Sequence, residues 1–524
     1  MIVLLNSNEE LRKKVEDQAK EIQRLKDEIN RLKGEQGKPN ISGNQKGTGQ
    51  SISSERERKQ PKQWGKEGKK DKIPIDKEHK CTLSKAALPP DAYFLRYDEY
   101  VQQDLKLVRE NTRYLIAVYY SPTLQKTYRA SLPEKVKGHF GSDLKTIIHV
   151  LTHVCDVTQS KLLQLLRTAG IEISTGSINN ILLEQVSMYE SEKKAILRAG
   201  LSGRYCGMDS TCSKQKGQRL YTQIINNEFF SIFSSRNSKS RLSVLSTLQG
   251  IREVELAMVY NQEAKELLNY FSLAQADKQA IEIIFENNKE YAKAEVEQLV
   301  TEQIPALKAK KNMFNRLLEA LAIAGYHQQI NVPAVNNLIT DDAGEYKKLA
   351  KQNHALCWVH DAGFYTKLTP YIEAHRQILK EFRECYWQYY HRLLDYKIKP
   401  DIQKAKKLNR EFDDIFIPKT DYFQLNRCIE RTYANKSKLL IVLDNPFIPL
   451  HNNASELAAR RIVTKRNIHL HTVSDVGTTV KDAAMSVVET AKKLQVNVID
   501  YLNDRISGSF DMPSLANTIL LHSR

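Results

Sequence analysis

The chain has 524 residues, of which 41% are hydrophobic, and this is enough material for several domains with buried cores. Lysine and arginine outnumber aspartate and glutamate by 79 to 62, and the formal charge of +17 favours a polyanionic partner, nucleic acid first and an anionic membrane surface second. No apolar run approaches the roughly 18 residues that a membrane-spanning helix needs, and the seven cysteines are scattered without a CxxC pair, so we expect a cytoplasmic protein without a disulfide framework.

A heptad repeat occupies residues 1–33. Leucine recurs in one core position and β-branched residues recur in the other, as in Leu4, Leu11, Val15 and Ile22. This combination is typical of a parallel two-stranded coiled coil, so we expect a homodimer or a higher assembly through this helix. The alternative is a single amphipathic helix that packs on its own chain.

The next segment, residues 34–80, is rich in Gly, Ser, Gln, Lys and Arg and predicts a basic disordered linker. Its cations include Arg56, Arg58 and Lys59. They are either contacts to DNA phosphates or the solvated part of a tether, and the composition does not separate these alternatives.

Two small modules are predicted after the linker. Alternating apolar and polar runs at residues 114–120 and 127–132 predict a strand-rich module over residues 81–135. Residues 136–200 have a helical pattern that Gly170 interrupts. A helix, a glycine turn and a second helix rich in Ser and Asn are compatible with a DNA-reading helix-turn-helix, but purely structural helices have the same pattern.

Asp209 is the first acid that needs an explanation. It lies in a predicted strand, residues 204–211, although aspartate is depleted in strands because its side chain competes for backbone hydrogen bonds. Two more alternating runs follow at once, so we expect an antiparallel meander within the first part of a core, residues 201–250. The helical pattern of residues 251–330 is too long for a crossover and predicts an insertion.

A second acidic position follows a short apolar run that predicts a fourth strand. Asp341 and Asp342 come directly after it, where acids either project into a cleft or cap a local turn. We expect Asp341 to be the functional acid, with Asp342 as the alternative, because neighbouring side chains point to opposite sides. Residues 354–360 predict a fifth strand that carries Cys357 and His360 as a CxxH pair, a zinc half-site without a recognisable second half.

The third acid is Glu456. It lies near the start of a predicted helix, where an acid also stabilises helix initiation without any catalytic role. The organisation around it is a second part of the core at residues 331–361, a second helical insertion at 362–445, a C-terminal part of the core at 446–505 and a tail at 506–524. Four cations follow on the same helix and are expected to contact phosphates: Arg460, Arg461, Lys465 and Arg466.

Acids in this order, on a strand, after a strand and on a helix, indicate an RNase H-like core. The predicted fold class is α/β, with a mixed five-stranded sheet, large helical insertions, an N-terminal coiled coil, and small strand-rich and helical DNA-binding modules. Three clustered carboxylates repel one another, and hard cations that prefer oxygen ligands remove this conflict. Cleavage of a phosphodiester by in-line displacement uses two Mg²⁺ ions about 4 Å apart, so we expect Mg²⁺, with Mn²⁺ as a substitute.

Several motifs in residues 200–505 are specific enough to indicate a family. They are MDST, ITDDAGEY, HALCWVH, LDNPFIPLHNNASELAARRIVTKRNIHL and SDVG. This set resembles the DDE transposases of bacterial insertion sequences, in particular the sixty-six family. The resemblance implies that Asp209 bridges both metal ions, that Asp341 binds one and Glu456 the other, and that His360 lies near the scissile phosphate.

The resemblance also implies an activity and partners. The implied activity is cleavage at the terminal inverted repeats of a transposon, followed by joining of the exposed ends to target DNA. The implied partner is double-stranded DNA, and the implied location is the nucleoid in a bacterial cytoplasm. Two features depart from the family pattern, because no cysteine-rich zinc module is evident near the N-terminus and Ser210 follows Asp209 where the family often has glutamate. The alternatives are a non-catalytic DNA-binding or scaffold protein and a structural nuclease without joining activity.

Overall fold

The computed structural model describes residues 2–32, 73–81, 83, 94–105, 108–136 and 138–522. The predicted basic linker, with Arg56, Arg58 and Lys59, lies outside these residues apart from its last few positions. Two compact units are formed, one from residues 1–52, 133–164 and 173–524 and the other from residues 53–132 and 165–172. None of the helices in the described ranges combines the length and the apolar character needed to cross a bilayer.

The elements are numbered in chain order. The strands are β1 (Val118–Ser121), β2 (Lys126–Arg129), β3 (Cys206–Gln215), β4 (Gln218–Asn226), β5 (Ser231–Arg236), β6 (Ala257–Val259), β7 (Glu290–Ala292), β8 (Asn337–Thr340) and β9 (Asn353–Leu356). The first helices are α1 (Ile2–Leu32), α2 (Ser142–His153), α3 (Gln159–Thr168), α4 (Thr175–Glu184), α5 (Val186–Leu201), α6 (Arg241–Gln249), α7 (Gln262–Tyr270), α8 (Gln275–Ile284), α9 (Lys293–Gln303), α10 (Pro305–Ala309) and α11 (Lys311–Gln328). The remaining helices are α12 (Trp358–Thr366), α13 (Glu373–Ile398), α14 (Ile402–Phe416), α15 (Phe423–Ala434), α16 (Lys436–Leu439), α17 (Asn453–His469), α18 (Asp475–Lys493), α19 (Val498–Ser507) and α20 (Leu515–His522).

The N-terminal segment is a single helix, α1, and one side of it packs on its own chain. The Glu9 carboxylate is buried, accepts the backbone N–H groups of Tyr371 and Ile372 at 2.9 and 3.2 Å, and lies 3.1 Å from Nδ1 of His375. The apolar heptad residues Leu4, Leu11, Val15, Ile22 and Leu25 are exposed. The helix therefore contacts its own chain through a polar residue, and pairing through the heptad face stays a prediction.

The predicted local elements before the core are present. The smaller unit contains the antiparallel hairpin β1–β2, whose strands are shorter than the two alternating runs. Helices α2, α3 and α4 follow, and the Ser174 side chain caps α4 by accepting the backbone N–H of Ser177 at 3.0 Å. Gly170 has φ +78°, a backbone conformation that glycine adopts without the cost that a side chain adds.

The centre of the larger unit is a mixed sheet with the strand order β5-β4-β3-β8-β9. Strands β3, β4 and β5 form the antiparallel meander that the sequence predicts, whereas β8 runs parallel to both β3 and β9. Helices α5, α11 and α18 supply much of the apolar core beside this sheet. A mixed five-stranded sheet with helices is compatible with the RNase H-like arrangement expected from the sequence.

The two insertions are helical, as predicted, with two corrections. The first insertion also contains the short antiparallel pair β6–β7, which the sequence pattern does not predict. The predicted strand over residues 354–360 is wrong in its second half, because β9 ends at Leu356 and α12 begins at Trp358. Trp358 is fully buried among aromatic side chains of the second insertion, and its ring N–H donates to the Leu439 carbonyl at 2.9 Å. This packing directs the CWVH segment away from the sheet.

Candidate active site

The parallel pairing of β3 and β8 brings two of the predicted acids to one end of the sheet. Gly207 on β3 lies opposite Ile339 on β8, so Asp209 and Asp341 each follow this pair by two residues. Carboxyl ends of parallel strands share one edge of a sheet, which is where α/β proteins build their sites. The antiparallel extension of β3 continues past Asp209 to Gln215, so this acid lies within a strand and not in a turn.

The environment of Asp209 indicates that the predicted acids interact. Burial raises the pKa of Asp209 to about 6, and the negative charges of Asp341 and Glu456 act in the same direction. The backbone N–H of Ser210, which donates to Oδ1 at 2.6 Å, and the His360 ring oppose this rise. The charges of the acids on β3, after β8 and on α17 therefore influence one another, and all three side chains are partly buried.

Asp341 and Asp342 have different surroundings although they are neighbours. Oδ1 of Asp341 accepts the backbone N–H of Ala343 at 3.1 Å, and this side chain faces Asp209. Asp342 instead forms ion pairs with Arg431 at 3.0 Å and Lys347 at 3.5 Å. Burial would raise the pKa of Asp342, but the Arg431 hydrogen bond and the nearby lysines outweigh it and lower this pKa.

The start of α17 is held against β3 by a residue that sequence reasoning missed. Asn452, the residue before the helix, donates from its amide to the Met208 carbonyl at 2.7 Å and accepts the Ser455 hydroxyl at 2.6 Å. A Cβ at Gly207 would lie only 2.6 Å from Oδ1 of Asn452 and 2.9 Å from Oγ of Ser455, so glycine permits this close approach. The signal in the sequence was the glycine two residues before Asp209.

The same contacts explain why Glu456 is near the other acids. Helix α17 begins at Asn453, with Asn452 as the cap residue before it, and Glu456 lies in its first turn. Oε1 of Glu456 lies 3.8 Å from Nδ1 of His360, which is located on the first turn of α12.

Two of the four cations predicted to contact phosphate are used inside the protein. Lys465 is 5% exposed, donates to the Thr152 carbonyl at 2.7 Å and pairs with Asp156 at 3.1 Å. Arg461 forms ion pairs with Asp156 and, at 3.2 Å, with Glu489. Because Arg461 and Lys465 are one turn apart, both point from α17 towards the end of α2. The prediction that these two side chains contact phosphate is therefore corrected, since they form ion pairs within the protein.

The other two cations differ in their exposure. Arg466 is partly buried and donates to the Cys212 carbonyl on β3. Arg460 is exposed on the opposite side of the helix. Of the four predicted contacts, Arg460 is therefore the one whose side chain is open to solvent.

The donor set of the three acids fits hard divalent cations. All three offer carboxylate oxygens, and the raised pKa of Asp209 reflects a negative charge that a cation would relieve. Within the described residues, the oxygens of Asp209, Asp341 and Glu456 are not all within 4.8 Å of one another. Metal binding by the three acids together therefore stays a prediction.

Comparison with known proteins finds a family and a similar protein. A family model described as "Transposase IS66 family" matches residues 327–480, a range that includes Asp341, His360 and Glu456 but not Asp209. The chain is also similar to the "Uncharacterized protein y4jO" of Sinorhizobium fredii (strain NBRC 101917 / NGR234), with 32% identity over 320 residues that cover 59% of this chain and 94% of the relative. Transposases of this kind act on DNA and use divalent metal ions. The chain belongs to the IS66 transposase family.

Proposed function

We propose that this protein is an active DNA transposase, which cleaves DNA at the ends of its own element and joins those ends to target DNA. The observation that carries the proposal is that β3, β8 and the start of α17 adjoin, since Gly207 pairs with Ile339 and the Asn452 amide donates to the Met208 carbonyl. These contacts bring the segments of Asp209, Asp341 and Glu456 together. Metal-dependent cleavage of a phosphodiester uses such a group of acids to hold its divalent cations.

Each residue has a proposed role at this site. Asp209 interacts with both other acids and is assigned the bridging position, with Asp341 and Glu456 as the outer ligands. Two Mg²⁺ ions held there would activate the attacking oxygen and stabilise the leaving oxygen. Asn452 fixes the start of α17 on β3 and so orients Glu456. His360, whose side chain is 39% exposed, is positioned to donate a hydrogen bond to a phosphate oxygen.

We assign binding of double-stranded DNA to the exposed cation of α17 and to the basic linker. Arg460 is the proposed phosphate contact on α17, and Arg56, Arg58 and Lys59 are those of the linker. If about six cations contact phosphates, the affinity for a terminal repeat should fall with salt along a log–log slope near −5. A flat salt titration would exclude this electrostatic mode.

A dimer is proposed through α1. Four apolar heptad residues of this helix are exposed while the opposite side contacts its own chain: Leu4, Leu11, Val15 and Ile22. Burying such a stripe against a second copy removes apolar surface from water and favours association. Two active sites in one assembly would allow both ends of an element to be processed together.

The test of the proposed function is cleavage of a DNA duplex that carries the element's terminal repeat, with Mg²⁺ present. Asp209→Asn should abolish cleavage and strand transfer while DNA affinity and folding are retained. Asp342→Asn is the matched control, because it removes a carboxylate one residue from the site and should leave cleavage within about tenfold of the wild type. Full cleavage by Asp209→Asn would refute the proposal.

Two further outcomes identify the alternatives. DNA binding without cleavage by the wild-type chain would indicate a scaffold protein. Cleavage without joining of the exposed ends would indicate a structural nuclease. A strand-transfer assay with labelled target DNA separates the last case from a transposase.

A further inference from the structure

A second group of side chains that could hold a metal ion shares Glu456 with the three acids. The donor atoms of Cys357, His360 and Glu456 are all within 4.8 Å of one another. Among the described residues, this is the group of His, Cys, Asp and Glu side chains whose donors lie close enough to hold one metal ion. In the sequence, Cys357 and His360 form a zinc half-site without a partner. The tertiary fold supplies the missing donor, because the contacts of Asn452 bring α17 and its Glu456 against the start of α12.

The donors of this group have few competing partners. Nδ1 of His360 is buried, has no hydrogen-bond partner among the described residues, and lies 3.8 Å from Oε1 of Glu456. Cys357 is 1% exposed, and its sulfur accepts the backbone N–H of Asn452 at 3.2 Å. An N–H donor of this kind stabilises the negative charge of a metal-bound sulfur. A polar nitrogen left unpaired next to a thiol and a carboxylate therefore indicates a ligand.

The chemistry of these donors selects a metal different from Mg²⁺. Sulfur, imidazole nitrogen and a carboxylate oxygen are the ligands of Zn²⁺, whereas Mg²⁺ takes oxygen ligands. Ligand atoms of a tetrahedral Zn²⁺ lie about 3.5 Å apart, so small side-chain rotations are enough to close this group around an ion. With three protein ligands, the fourth position of a tetrahedral Zn²⁺ would be left to water.

We propose that Cys357, His360 and Glu456 form a Zn²⁺ site next to the acidic site. On binding, the Cys357 thiol releases its proton to solvent and the sulfur coordinates as thiolate. This binding is independent of catalysis. Its consequence rests on the proposed function: Zn²⁺ occupies Glu456, which is then lost as a Mg²⁺ ligand, so Zn²⁺ holds the transposase in an inactive state.

The binding test uses Co²⁺ as a spectroscopic substitute for Zn²⁺ on the full chain. We expect one Co²⁺ per chain with a sulfur-to-cobalt charge-transfer absorption that added Zn²⁺ removes. The absorption should disappear in Cys357→Ser and the Co²⁺ affinity should fall at least tenfold in His360→Ala. Cys385→Ser, on α13, is the matched control and should retain both.

Several results would overturn the site. One is the absence of the sulfur-to-cobalt absorption in the wild-type chain. The others are persistence of this absorption in Cys357→Ser and an unchanged Co²⁺ affinity in His360→Ala. Thermal melting checks that each variant folds. Because His360 is partly exposed, His360→Ala gives an answer even if Cys357→Ser does not fold.

The consequence is tested separately, by titrating Zn²⁺ into the Mg²⁺-dependent cleavage assay. Zn²⁺ should inhibit cleavage by the wild type. With each protein's rate expressed relative to its own rate without Zn²⁺, Cys357→Ser should need at least tenfold more Zn²⁺ than the wild type for the same fractional inhibition. Equal sensitivity of the two would refute the inhibitory role. Asp209→Asn should lose cleavage but retain the cobalt absorption, so failure of the proposed function is distinguishable from failure of the Zn²⁺ site.

Discussion

Asp209→Asn should stabilise the metal-free protein and at the same time abolish its cleavage activity. The carboxylate of Asp209 is ionised at neutral pH in a largely buried position beside two other acids, and this raises its pKa from 3.8 to about 6. Such a rise means that the folded protein resists ionisation of this group more than the unfolded chain does. Asparagine has a similar shape without the charge, so the unfavourable term is removed.

The magnitude depends on pH in a defined way. A rise of the pKa from 3.8 to about 6 corresponds to about 3 kcal/mol in the free energy of unfolding once the carboxyl is ionised in both states. Well below the unfolded pKa of 3.8 the carboxyl is neutral in both states and the variant gains nothing, and at pH 4, just above that pKa, the gain is about 0.5 kcal/mol. The gain should increase between the unfolded pKa and the folded pKa of about 6 and change little above about pH 7.

The assay is denaturant unfolding of both proteins between pH 4 and pH 8, with a chelator present to exclude divalent ions. Asp342→Asn is the control of opposite sign. Because Arg431 and nearby lysines lower the pKa of Asp342, its carboxylate contributes stability above the unfolded pKa, and the contribution is lost as the pH falls through the folded pKa. Asp342→Asn should therefore be destabilising at pH 8 and nearly neutral at low pH.

A difference between wild type and Asp209→Asn that stays constant from pH 4 to pH 8 would refute this reasoning. So would a loss of stability in Asp209→Asn at pH 8. Either result would mean that Asp209 is not held in a buried acidic cluster. Addition of Mg²⁺ should raise the stability of the wild type more than that of the variant, because a ligand that binds the folded state more tightly stabilises it more, with the logarithm of its affinity.

Three further changes test other parts of the structure. Asp341→Asn should reduce metal-dependent cleavage at least 100-fold and Asp342→Asn less than tenfold, and equal losses in a cleavage time course would reverse the assignment of the ligand. Asp156→Ala should destabilise the protein by about 3 kcal/mol in denaturant unfolding, because it removes the carboxylate that the buried Lys465 shares with the partly buried Arg461; a change under 0.5 kcal/mol would argue against this network. Val15→Lys should convert a dimer to a monomer in analytical ultracentrifugation at micromolar concentration, and an unchanged mass would exclude association through the heptad face.

Local patterns were sufficient for most elements of the fold. Alternating runs predicted the meander of β3, β4 and β5, and the helical insertions were predicted from length and periodicity. Asp209 was predicted to be functional because an acid inside a strand opposes local preference, and such conflicts concentrate at functional sites; its role stays a prediction. The strand and helix predictions succeed because strand pairing in a meander and helix periodicity depend on residues close together in the chain.

Long-range packing decided the features that the sequence left open. Asp342 contacts Arg431, which is 89 residues away, and this contact separates it from Asp341. Lys465 looked like a phosphate contact, yet Asp156 and the Thr152 carbonyl hold it in the interior.

The sequence by itself determined the order of the three acids, the meander and the helical character of both insertions, because these follow from neighbouring residues. The tertiary structure alone decided which side chains meet. Asn452 joins the start of α17 to β3, and through this contact Glu456 reaches both Asp209 and the Cys357–His360 pair. Periodicity carries no information on such contacts, since they link positions separated by up to 244 residues.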